Sequence, residues 1–100
     1  MILYDRYSTW VVKRQLASCG AGFLARNHRM ISKDRDSEIH VGKDVILDRG
    51  VKLWLSNGAR LYIGDNSYLA NGSMVLSQQE VLIGRHCSIS WHVLIMDSSS

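Results

Sequence analysis

Three segments of the chain repeat one arrangement of apolar and polar positions. They are Ile39-His-Val-Gly-Lys-Asp-Val45, Leu61-Tyr-Ile-Gly-Asp-Asn-Ser67 and Val81-Leu-Ile-Gly-Arg-His-Cys87, each reading apolar, any, Val/Ile, Gly, charged, polar, small. A unit repeated at about twenty residues cannot bury its apolar face alone and must stack on its neighbours. Counted from the Val/Ile before each glycine, apolar anchors recur at steps of six: Val41, Leu47, Leu53, then Ile63, Leu69, Val75, then Ile83, Ile89, Ile95. Leu24 and Met30 read as a partial first round. The excess over six falls between rounds, so it collects at one corner of a three-sided coil. The pattern therefore predicts an all-β parallel β-helix of about three coils, each needing about eighteen residues plus a corner insertion.

The residue four past each anchor is Val45, Val51, Ser67, Ser73, Cys87, Val93 or Ser99, so no large or charged side chain is expected inside a turn. Gly42, Gly64 and Gly84 are expected to stack at one corner, and Asn57, Asn66 and Asn71 to fall near turns, where a positive φ or side-chain bonding to the backbone is wanted. Proline is absent, which suits parallel strands that need every backbone donor.

Ahead of the repeats, Leu3, Tyr7, Trp10, Val11 and Ala17 share a face at helical spacing, and Gly20 and Gly22 follow. The expected organisation is an N-terminal helical segment over 1–22 and a repeat region over 23–100. A helix so short must rest its apolar face on the repeats. Outward positions beside the anchors place Trp54, Leu76 and Met96 in one stack and Met74 and Leu94 in the next. That apolar surface is the expected subunit interface, with a seat for the helix as the alternative.

Composition narrows the class. One hundred residues, 46% hydrophobic and 21% charged, make one small globular domain. The opening lacks a signal-peptide pattern and no apolar run is long enough to span a bilayer, so the expected location is cytoplasmic. The two cysteines form no Cys-x-x-Cys pair and are expected to be reduced. Cys87 fills a small-residue slot of the core, and Cys19 carries no signal. The net charge of +3 is uneven: residues 1 to 33 hold six Lys/Arg against the single acid Asp5. An ordinary solvated basic face is the expected reading, ahead of membrane-surface contact, and no nucleic-acid partner is expected.

The repeats resemble those of the hexapeptide-repeat proteins. The resemblance covers 39–100 well and 24–38 loosely, and it implies a left-handed coil and a homotrimer. The segment Ile83-Gly-Arg-His-Cys-Ser-Ile-Ser-Trp-His-Val-Leu-Ile-Met-Asp-Ser-Ser-Ser100 is similar to the stretch leading into the active site of the acyltransferases of that family that acetylate galactosides, maltose and polysaccharides. The resemblance implies acetyl-CoA as co-substrate and a sugar or polysaccharide acceptor. It further implies a catalytic histidine just beyond a run like Ile95-Met-Asp97, acting as general base on the acceptor hydroxyl. The sequence ends before such a histidine. The expectation is therefore part of a longer product, or a relative, with little or no turnover by itself. Asp97 matches the acid of the family's active-site loop, where it would orient the base; a turn aspartate bonded to its own backbone is the alternative. Trp91 and Asn71 fall at equivalent positions on successive coils, an aromatic beside an amide that suits a sugar, and corner packing explains them equally. His92 is the third acceptor candidate; it and His86 sit three residues past their anchors and point to corners and solvent.

Two further readings stay open. One is a non-catalytic β-helix module that oligomerises or binds. The other is similarity to the zinc-dependent carbonic anhydrases of this fold, since His40 and His86 are expected at related corners. The spacing of His86 and His92 puts them on different sides, and no metal site is expected.

Overall fold

The structure, a computed structural model, describes residues 3–97. One helix, α1 (Leu3–Lys13), precedes twelve short strands. The first coil comprises β1 (Ser18–Cys19), β2 (Leu24–Ala25) and β3 (Ile31–Lys33). The second comprises β4 (Glu38–Val41), β5 (Ile46–Leu47) and β6 (Lys52–Leu55). The third comprises β7 (Arg60–Ile63), β8 (Tyr68–Leu69) and β9 (Met74–Ser77). The fourth comprises β10 (Glu80–Ile83), β11 (Ser88–Ile89) and β12 (Leu94–Met96).

Strands one coil apart pair in parallel, giving three four-stranded sheets ordered β1-β4-β7-β10, β2-β5-β8-β11 and β3-β6-β9-β12. We call these the first, second and third sides. The all-β parallel β-helix with one short N-terminal helix stands as expected, and it makes about four turns, one more than the spacing suggested. Its first coil begins at Ser18 rather than at residue 23. Cys19, Ala25 and Ile31 lie in register with Val41, Leu47 and Leu53. They keep the six-residue step, so the first-round anchors are these three and not Leu24 and Met30. Leu24 is half-buried beside Ile46, and Met30 is fully buried with its carbonyl accepting the Leu53 N–H at 2.8 Å.

The corner after the third side is equally long in the first two coils, residues 34–37 and 56–59, and shrinks to residues 78–79 in the third. The glycines do stack, joined by Gly20, at the corner after the first side: a Cβ on Gly64 would lie 2.7 Å from the Arg85 nitrogen and the Gly84 carbonyl carbon. Their amides bond the coil above, Gly42 to Ile63 and Gly64 to Ile83, both at 2.8 Å. This is the donor that proline would remove.

Small-residue slots behave as the pattern required, and the choice between Val and Ser has a reason. Val45 and Val51 are sealed by neighbours alone. Ser67 and Ser73 are equally buried, but each hydroxyl donates to a carbonyl of the coil above, Gly84 and Ser90, at 2.8 Å. A buried hydroxyl needs that partner. Ser99, and the side chains of Leu3 and Asp5, lie outside the described residues.

The helix differs from expectation in length and in the face it buries. It ends at Lys13, because the Ala17 N–H already bonds the Ile39 carbonyl at 2.8 Å and Ser18 pairs with His40. It rests on β2, at the first-coil end. Ser8 and Thr9 hydroxyls both donate to the Ala25 carbonyl, at 2.6 and 3.1 Å, and Val12 is fully buried in the core. Those bonds fix the rotation of the helix. Tyr7 and Trp10 consequently face outward, 52% and 57% exposed.

Candidate functional site

The turns decide where the candidate residues stand. Gly22, Asp44, Asn66 and His86 follow one another at one corner, all with positive φ, the last three between 55° and 61°. Asp, Asn and His tolerate that conformation better than other non-glycine residues do. His92 (φ 57°) repeats the role at the next corner, above Gly72 (φ 85°). Asn57 has φ 60°, Asn66 has φ 61°, and Asn71 needs no positive φ. Both exposed histidines thus have a backbone reason to be there. His40 does not share a corner with His86: it lies within β4 on the first side. Among the described residues no three His, Cys, Asp or Glu side chains gather as a metal would need.

Side chains of one coil lie over glycines of the coil below. Asn71 Oδ1 fills the space a Cβ of Gly50 would take, and the His92 ring does the same over Gly72. Asn71 and Trp91 are in register, since Leu69 pairs with Ile89. The His92 N–H bonds the Asn71 carbonyl at 3.4 Å. Three candidates therefore meet at one corner, two of them packed on glycine. Trp91 is the free one, 73% exposed. It lines a cleft of about 290 Å³ with Tyr68, Ala70, Ser88, Ile89 and Ser90. Tyr68 escaped the sequence reading; its hydroxyl donates to Asp48 Oδ2 at 2.6 Å. That bond holds the Asp48 carboxyl below its ordinary range and raises the Tyr68 phenol. Arg26 stands 3.8 Å from the same aspartate.

Asp97 sits a full side away, past β12, and is not joined to the Trp91 corner. Its oxygens accept from the Gln78, Gln79 and Glu80 amides at 2.8, 2.9 and 2.6 Å, and from the Ser77 hydroxyl at 2.9 Å. It is a turn aspartate, but it serves the turn of the preceding coil rather than its own backbone. Burial pushes its carboxyl up; the three amides and the hydroxyl outweigh this and hold it below the ordinary carboxylate range. Asp34 does similar work lower down, accepting from the Ser37 amide and from the Asn57 amide of the next coil at 2.9 and 2.8 Å.

The third side carries the expected apolar ladder. Trp54, Leu76 and Met96 are in register, as are Met74 and Leu94, and α1 does not cover them. Trp54, Leu94 and Met96 are 46%, 54% and 52% exposed. A cleft of about 300 Å³ runs along Ser32, Trp54 and Leu76.

One constellation was invisible before the register was known. Ser18 Oγ lies 2.8 Å from His40 Nδ1, and His40 Nε2 lies 3.0 Å from Glu38 Oε1. The imidazole stacks on Tyr62, ring centres 4.9 Å apart. The bond to His40 holds the Glu38 carboxyl down. Such a chain can pass a proton, but it lies on an open sheet surface, on a different side from the Trp91 cleft. Stepping 22 residues from His40 finds Ser18, so the signal existed once the first coil was known to begin there. Both cysteines are free, and burial raises the Cys19 thiol above its ordinary value.

Compared with models of known families, with curated proteins and with solved structures, the chain has no match. No helix among the described residues is long and apolar enough to cross a membrane.

Proposed function

We propose that this chain supplies the scaffold and the acceptor-side surface of an acetyl-CoA-dependent sugar O-acetyltransferase. The observation that carries the reading is the Trp91 cleft: an exposed indole beside the polar residues Tyr68, Ser88 and Ser90. A sugar ring presents one apolar face and a rim of hydroxyls, and an aromatic plane with polar neighbours is complementary to both. The stretch from Ile83 to Asp97, through which the resemblance enters, contains this corner. In the transfer itself, the acceptor oxygen attacks the thioester carbonyl of acetyl-CoA, its proton passes to a base, and the thiolate of CoA leaves. None of the residues lining the cleft is a base, and Asp97 spends its oxygens on the turn at 77–80. The hundred residues are therefore expected to bind acceptor without turning it over. In a thiol-release assay with acetyl-CoA and a panel of sugars, release should stay at background. Robust release would place a base among these residues and contradict the account.

The apolar ladder of the third side favours a second reading, a non-catalytic β-helix module that oligomerises. The occupant would be another copy of the chain, in the trimer that the resemblance implies. Light scattering should then give a multiple of the 11.3 kDa chain mass, reduced by Trp54→Asp. An unchanged mass in the variant removes the ladder as an interface.

A further inference from the structure

We propose that the outer face of α1 docks the molecule onto an anionic lipid bilayer surface. From Arg6 to Lys33 the sequence contains six Lys/Arg and no Asp or Glu. By charge alone this is a solvated basic face. The rotation of α1 alters the picture, because it turns two aromatic rings outward among the cations. Trp10 and Tyr7 are 57% and 52% exposed, while the opposite face is sealed through Ser8 and Val12. Arg6 and Lys13 stand one turn before and one turn after Trp10 on that helix, Arg14 follows just past its end, and all three are exposed. Arg6, Thr9, Trp10 and Lys13 line a cleft of about 240 Å³. Tyr7 packs against His28, ring centres 5.7 Å apart, which brings the 26–30 turn and its exposed Arg29 alongside.

Aromatic rings ringed by long cationic side chains suit the headgroup region. Indole and phenol sit at the polar boundary, and Lys and Arg stems lie along apolar surface while their heads reach phosphate. Two other occupants fit less well. A second copy would bring cations against cations. A single nucleic-acid strand would need open ring faces for base stacking. Here the Arg14 guanidinium lies 4.9 Å over the Trp10 ring, and Tyr7 is already against His28. Entry into headgroups uses ring edges and leaves both contacts in place. Because α1 packs on the first coil through β2, its outer face points away from the coils, and among the described residues no strand stands between it and a bilayer.

The test is sedimentation of the full chain with vesicles of phosphatidylcholine alone and of phosphatidylcholine with phosphatidylglycerol, with poly(U) in a parallel arm. Binding is expected to the anionic vesicles only, to weaken as salt rises, and to fall about tenfold or more in Arg6→Glu/Lys13→Glu, with the β-sheet circular dichroism unchanged. Trp10→Ala should weaken binding without changing the lipid preference. Equal partition into both vesicles, no sedimentation with either, or poly(U) binding in place of vesicle binding would overturn the proposal. Should the double variant misfold, Trp10→Ala and the salt dependence of the unaltered chain still decide it.

Discussion

Under α1, Ala25, Met30 and the helix residue Val12 have no exposed surface, whereas Cys19 and Ile31 elsewhere in the first coil, and Cys87, Ile89 and Ile95 in the fourth, occupy core positions and are only half-buried. Residue type does not explain the difference, because Ala25, the smallest anchor, is fully sealed while the larger Ile31 of the same coil is not. Stacking explains it. Coils two and three have neighbours above and below, the first coil has α1 mainly over β2, and among the described residues nothing is stacked on the fourth. The lesson is that an anchor in a solenoid contributes according to what lies on both sides of it. The surfaces offered to a ligand or a partner gather where stacking is incomplete. Two of the three tryptophans mark them, Trp10 on α1 and Trp91 at the fourth-coil corner; Trp54 instead points outward from the fully stacked second coil.

The comparison is broken most severely by truncating equivalent anchors. Leu47→Ala, at a fully buried position between two coils, is expected to cost about 2–5 kcal/mol. Ile89→Ala, two coils up on the same ladder, should cost about 1 kcal/mol. Equal losses in denaturant unfolding would show that the fourth coil is as enclosed as the second. The stacked glycines sharpen the point. Gly64→Ala sets a Cβ 2.7 Å from backbone of the coil above and should destabilise by about 1–3 kcal/mol. Gly84→Ala meets nothing nearer than the Cys87 sulfur at 3.7 Å and should stay within about 0.5 kcal/mol. Asp97→Ala removes the acceptor of four hydrogen bonds and should cost about 1 kcal/mol, with amide exchange at Gln78, Gln79 and Glu80 accelerated far more than at Val51.

The smallest expected effect is on acid stability. Asp34 is held down first by the Ser37 hydroxyl, Asp48 by the Tyr68 hydroxyl, and Asp97 by amides that outweigh its burial. Each therefore releases its proton more readily in the folded chain. Their contribution is present in full above the unfolded aspartate value of about 3.9, and is lost as pH falls through the lower folded values. Denaturant midpoints should fall on acidification below that value. Tyr68→Phe should shrink the Asp48 part of the dependence, leaving what the Arg49 amide and the nearby Arg26 and Arg49 charges hold; a midpoint that rises on acidification would reverse the assignment.

The repeat made most of this fold legible because its period is carried by large anchors in the second to fourth coils. The first coil was misread because two of its three anchors, Cys19 and Ala25, are small, and Ala25 suffices only because the helix fills the core beside it. The helix face was misread for a related reason: hydrogen bonds from Ser8 and Thr9 to Ala25, not hydrophobicity, set its rotation. The positions of Trp91, Asn71 and His92 at one corner followed from counting. The packing of Asn71 and His92 over glycines did not, since it depends on which small residue lies one coil below. Asp97 bonds across coils to residues seventeen to twenty positions earlier, a partner set that only the register reveals. Tyr68 and the Ser18–His40–Glu38 chain were missed on the same ground.

The measurement closest to the central claim is saturation-transfer NMR of a sugar panel against the unaltered chain, Trp91→Ala and Trp54→Ala. The account predicts transfer to at least one sugar, lost in Trp91→Ala and kept in Trp54→Ala. Transfer to none of the sugars, or transfer that survives Trp91→Ala unchanged, would contradict it.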